Sequence, residues 1–104
     1  MPAPLTEYFA NETRSPDVFA RCFADNAVVV DERDQHRGRT AIAAWNAASR
    51  AKYGFTAEPL TAVSEGEVVI VSAKVSGTFP GSPVTLRYHF TIEDGLIARL
   101  EITP

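Results

Sequence analysis

Apolar and polar positions alternate with two different periods along this chain. Leu5, Tyr8, Phe9 and Glu12 recur at helical spacing after Pro4, so the chain opens on a short amphipathic helix with Leu5, Tyr8 and Phe9 on one stripe. Ser15 followed by Pro16 is an N-cap and first-turn signature, with Asp17 favourably charged at the helix start. Val18, Phe19, Cys22 and Phe23 mark the buried face of this second helix, which the spacing ends near Phe23. The run Ala27 to Asp31 is short and β-branched, the pattern of a buried strand that delivers Asp31 at its end. Ile42, Trp45, Ser49 and Tyr53 then mark a third helix, entered after Gly38 and Thr40 and closed by Gly54 as a C-cap.

After Phe55 the period changes to two. Residues 55–64, 67–78, 84–92 and 96–103 read as four extended segments, separated by Gly66, by the turn from Phe79 to Pro83 and by the hairpin dipeptide Asp94-Gly95. They are expected to pair as a meander. Val84, Leu86, Tyr88, Phe90 and Ile92 point one way, with Thr85, Arg87, His89 and Thr91 on the other. Val68 and Ile70 against Val69 and Val71 make both faces of the preceding strand apolar, as suits a strand covered on two sides, the second cover being a partner subunit. Helices first and strands afterwards define an α+β domain with helices grouped on one side of an antiparallel sheet.

Composition narrows the function. The 104 residues are 45% hydrophobic and 22% charged, with a net charge of −3, which suits one packed domain over 1–104 that holds together without a metal or disulfide. The longest apolar run, Ala41 to Trp45, is far short of a membrane span, and the N-terminus has neither a basic stretch nor an apolar core of a signal peptide, so a cytoplasmic location is expected. Cys22 is the sole cysteine, and His36 and His89 are too far apart in sequence to suggest metal-ligand spacing; no metal and no cofactor are expected. Arg33, Arg37 and Arg39 are interleaved with Asp31, Glu32 and Asp34, which argues against nucleic-acid binding.

The segment Phe23-Ala-Asp-Asn-Ala-Val-Val-Val-Asp31, followed by His36-Arg37-Gly38-Arg39 and by Ile42 and Trp45 on a helix, resembles the nuclear transport factor 2-like superfamily. Within it the chain is most similar to the SnoaL-like branch, which includes polyketide cyclases and ketosteroid isomerases. The resemblance implies a cone-shaped, strongly curved sheet wrapped around helices, cystatin-like in outline, enclosing an apolar pocket for a small hydrophobic molecule. It also implies a homodimer formed through the sheet. Asp31 falls where ketosteroid isomerases hold their carboxylate base, and Tyr8 matches, across one gap, the tyrosine that donates to the developing enolate. The acid these enzymes carry on the penultimate strand falls here on Leu86 or Arg87, neither of which can donate as a carboxylic acid.

The expected pocket is bounded by Tyr8, Phe19, Phe23, Asp31, Trp45 and Tyr53, with His89 a further candidate. Asp31 would act as general acid/base, its proton affinity raised at the lip of an apolar pocket, and Tyr8 would stabilise an oxyanion. Each residue also has a plainer reading. Asp31 can be a strand-end carboxylate paired with Arg33, Arg37 or Arg39, Tyr8 an ordinary helix aromatic, and Trp45 and Tyr53 core packing. His89 can be an exposed or interface residue, His36 a loop residue, and Cys22 a small buried apolar group. Two functions remain open on these residues: a cofactor-independent isomerase or cyclase, and a non-catalytic ligand-binding or dimerisation module.

Overall fold

The computed structural model describes all residues, 1–104. Its elements are α1 (Ala3–Asn11), α2 (Pro16–Ala20), β1 (Phe23–Asp31), β2 (Asp34–Arg37), α3 (Gly38–Tyr53), β3 (Thr56–Glu65), β4 (Val68–Ser76), β5 (Val84–Glu93) and β6 (Leu96–Thr103). The six strands form one sheet in the order β2-β1-β6-β5-β4-β3. β3 to β6 pair as the expected antiparallel meander, and β1 joins β6 in parallel. No helix is long and apolar enough to cross a membrane.

The helix starts follow the sequence signals. Ser15 Oγ accepts the Val18 amide at 3.3 Å and Pro16 opens α2. Gly54 closes α3 in the left-handed conformation, its amide donating to the Arg50 carbonyl at 2.8 Å. The end of α2 departs from the helical spacing. The helix stops at Ala20, because Phe23 is already paired with Ile97 of β6 and the Cys22 carbonyl accepts the Ile97 amide at 2.9 Å. β1 therefore begins four residues before the β-branched run, with a bulge between Phe23 and Val28. Arg39 of α3 secures that bulge: its Nε donates to the Phe23 carbonyl at 2.8 Å, and its Nη1 lies 2.6 Å from Asp25 Oδ1.

β2 is a further departure. The charged stretch after Asp31 forms a hairpin with β1, pairing Asp31 with Asp34 and Val28 with Arg37. Its two turn residues, Glu32 (φ 51°) and Arg33 (φ 70°), both occupy the left-handed region that two-residue hairpins require and that Asn and Gly fill more easily. Such conformations cost on the order of 1 kcal/mol or more each, and no turn dipeptide announces them.

α3 packs on β1 and β2, α2 packs on α3, and α1 touches both β3 and β6. β5 and β4 separate β6 from β3 in the sheet order, and α1 lies against both outer strands of this group on the inner side of the curled sheet. Bulges at Pro59–Thr61 and Thr91–Ile92 supply bends. The core lies inside the curl, where Leu5, Tyr8, Phe19, Phe23, Val29, Ile42, Val71, Phe90, Ile97 and Leu100 are all buried. Along β4, Val71, Ala73 and Val75 face this core, while Val68 and Ile70 are half-exposed on the other face.

Candidate functional site

The core does not fill the curl completely. Between α1, α3, the 79–80 turn and the inner faces of β4, β5 and β6 lies a cavity of about 360 Å³, large enough for a small organic molecule. Tyr53 and the turn close one side of it. The Tyr53 carbonyl accepts both the amide and the hydroxyl of Thr78, at 2.7 and 2.8 Å, so the end of α3 is tied to the start of the turn. Gly77 permits this approach: a Cβ there would stand 2.7 Å from the same carbonyl oxygen.

Asp31 closes β1 at the cavity wall. Its Oδ2 accepts the indole N–H of Trp45, 3.1 Å away on α3, and it makes no ion pair. Two of the arginines that could have paired with it are engaged elsewhere: Arg39 holds Asp25 and Arg37 donates to Gln35. Burial raises the proton affinity of Asp31 above the ordinary carboxylate value, the Trp45 hydrogen bond opposes that rise, and the neighbouring Glu32 reinforces it. Glu32 sits at the same wall, its Oε1 accepting the Tyr53 hydroxyl at 2.9 Å.

Tyr8 is held at the centre of an aromatic cluster, its ring 4.9 Å from Phe19, 5.2 Å from Phe90 and 6.0 Å from both Phe23 and Tyr88. It lines the cavity, as does Tyr88. Burial pushes both phenols well above their usual range, so they remain protonated donors at any ordinary pH.

The helical stripe that carries Tyr8 also carries Glu12, one turn further on. Glu12 lines the cavity, is 3% exposed and has no ion pair. Burial pushes its carboxyl up to about 8, only partly offset by the Tyr8 phenol and by Arg50. Arg50 does not line the cavity and donates to the carbonyls of Thr13 and Arg14 at 2.9 and 2.7 Å. At neutral pH Glu12 is thus chiefly a neutral carboxylic acid. Beside it the buried Asn46 donates to the Glu12 carbonyl at 3.4 Å, and its own Oδ1 has no partner.

Of the candidates named from the sequence, Tyr8, Asp31, Trp45 and Tyr53 meet at this cavity. Phe19 and Phe23 do not line it; both are fully buried and pack behind Tyr8 as part of the core. His89 is on the opposite face of the sheet, its Nε2 3.0 Å from Thr103 Oγ1, because the alternation that turns Leu86 and Tyr88 inward turns His89 outward. Cys22 is buried with its thiol donating to the Phe19 carbonyl and its proton affinity pushed up to about 12, the state of an inert packing residue. Glu12, Tyr88, Phe55 and Phe79 join the wall without having been singled out. The legible signal was an acid lying on the apolar stripe of the first helix.

A six-stranded sheet curled around three helices, with an apolar cavity inside the curl, is the architecture of nuclear transport factor 2-like proteins. One such protein, from Cytophaga hutchinsonii and of unknown function, superposes with a TM-score of 0.76 at 13% identity, over 95% of this chain and 84% of that one. The SnoaL-like domain model matches residues 6–100, and the chain belongs to that family. A Sinorhizobium meliloti protein assigned as a polyketide cyclase is 46% identical, with a TM-score of 0.95 over 99% of this chain and 95% of that one. A Catenulispora acidiphila protein with a ketosteroid isomerase-like fold, solved in complex with trimethylamine, is 20% identical, with a TM-score of 0.86 over 100% of this chain and 86% of that one. No curated protein matches the sequence.

Proposed function

We propose that the cavity binds a small, largely apolar molecule and moves a proton on it, in the manner of a cofactor-independent isomerase or cyclase. The observation that carries this reading is a buried-side carboxylate without an ion pair, Asp31, held by Trp45 at the wall of a cavity that also presents protonated phenols. In the proposed step Asp31 takes the proton from a carbon next to a carbonyl. The C–H electron pair becomes the enolate double bond, and the negative charge moves to the carbonyl oxygen. Tyr8 and Tyr88 are the donors available to that oxygen, with Glu12 a further one while it holds its proton. Return of the proton from Asp31 to a second carbon completes an isomerisation; in a ring closure the enolate carbon attacks a second carbonyl, whose π electrons move to its oxygen, and that oxygen takes the proton back from Asp31. The test compares wild type with Asp31→Asn on a panel of enones and polycyclic ketones. Loss of turnover by about a hundredfold or more is expected, and equal rates would remove Asp31 from the mechanism.

We further propose that two copies pair through the outer face of the sheet. Val63 is 56% exposed there and adjoins the half-exposed Ile70, which in turn pairs with His89. Sedimentation at micromolar concentration is expected to give a dimer mass, and a monomer would refute the pairing.

A further inference from the structure

The chemistry of the cavity wall restricts what it can hold beyond the requirement for an apolar body. Its fifteen lining residues include three acids, Glu12, Asp31 and Glu32, and not one lysine, arginine or histidine. A carboxylate or phosphate guest would find no cationic partner in the wall and would face the partly buried Asp31, where charge repulsion is weakly screened, with the exposed Glu32 at the rim. Six aromatic side chains stand around the same space: Tyr8, Trp45, Tyr53, Phe55, Phe79 and Tyr88. Aromatic faces attract cations, most strongly where water is excluded. Glu12, neutral while the cavity holds no charge, would be drawn to its ionised form by a cation bound beside it. It is an acid 97% removed from solvent, lining the cavity, with no basic side chain paired to it.

We infer that the cavity is selective for a hydrophobic cation, an amine that is protonated or quaternary at neutral pH and is carried on an apolar body. The inference rests on the reading of the cavity as the ligand site and names the class of molecule it takes. The apolar body lies against Val75, Val84, Leu86 and Ile102, and the cationic group is shared between the aromatic faces and the acids. A volume of about 360 Å³ suits a ligand of one ring with a short branched ammonium group.

Trp45 is the only tryptophan and lies in the cavity wall, so its fluorescence reports occupancy. Three probes of nearly equal size separate charge from shape: benzyltrimethylammonium, its uncharged isostere neopentylbenzene, and the anion 3-phenylpropionate. The cation is expected to bind about tenfold or more tightly than the isostere, and the anion more weakly than either. Glu12→Gln and Asp31→Asn are each expected to weaken the cation severalfold while leaving the isostere unchanged. Should Glu12→Gln fail to fold, Asp31→Asn and the three-probe ranking decide. Equal affinity for cation and isostere, or tighter binding of the anion, would overturn the inference and leave the apolar ligand site standing. Absence of binding by all three would overturn both.

Discussion

Replacing Glu12 by Gln should change how stability depends on pH between pH 5 and pH 9. The carboxyl titrates near 4.5 when exposed and near 8 in the folded protein, where burial penalises its charged form. Between those values the unfolded chain is ionised at this position and the folded chain is protonated. Folding therefore takes up a proton, and stability falls as pH rises, by about 1.4 kcal/mol for each pH unit in the window. Below pH 4.5 both states are protonated and the full stability is present; above about 8 it has been lost. The integrated loss is on the order of 5 kcal/mol, a large share of the 5–15 kcal/mol typical of a whole domain. Gln keeps the shape and hydrogen-bonding capacity of the neutral acid but cannot ionise. Urea unfolding at intervals from pH 5 to pH 9 should give a wild-type stability that declines relative to Glu12→Gln, with the variant the more stable of the two at the alkaline end. Asp31 is raised as well and acts in the same direction at lower pH, but it is present in both proteins and cancels in the difference. Two curves that stay parallel within about 1 kcal/mol from pH 5 to pH 9 would refute the argument that Glu12 is held neutral by burial.

Trp45→Phe removes the N–H that favours the charged form of Asp31, so a carboxyl NMR titration should show the Asp31 midpoint moving further up, and an unchanged or lowered midpoint would contradict the assigned role of that hydrogen bond. Gly77→Ala forces a Cβ to within 2.7 Å of the Tyr53 carbonyl oxygen; a loss of about 2–3 kcal/mol in urea unfolding is expected, and a neutral substitution would show that the turn moves freely off α3. Cys22, with its thiol held up to about 12 and bonded to the Phe19 carbonyl, should resist thiol reagents at pH 8 in the native protein and react at the rate of unfolding; rapid stoichiometric labelling without denaturant would show that it is accessible.

Period and punctuation were enough to place most of the fold. The long helix from Gly38 to Tyr53 carries a strong 3.6-residue pattern and an explicit Gly54 stop, and the last four strands are extended runs separated by glycine-containing turns, with clean alternation from Val84 to Ile92. Both signals are local, and local signals survive in a sequence. The junction from α2 to β1 did not, since Phe23 fits the helical stripe and leaves it only because Ile97, 74 residues later, offers a strand to pair with. The β1–β2 hairpin was hidden for a related reason. Its turn residues Glu32 and Arg33 hold conformations that their side chains disfavour, and only the pairing of β2 with β1 compensates.

The site divides along the same line. That Asp31 ends a strand, that Trp45 and Tyr53 share a helix face, and that Tyr8 and Glu12 lie one turn apart are properties of the sequence, fixed by short-range geometry. Which of these groups share a cavity is decided by the curl of the sheet. Curvature brings α1 against strands from distant parts of the meander, leaves Phe19 and Phe23 behind Tyr8 in solid core, and turns His89 to the outer face. It also buries an acid that Arg50 and the Tyr8 phenol only partly compensate, which no local pattern records, because the proton affinity of a carboxyl depends on the solvent and charges around it in the folded protein and not on its neighbours in the chain.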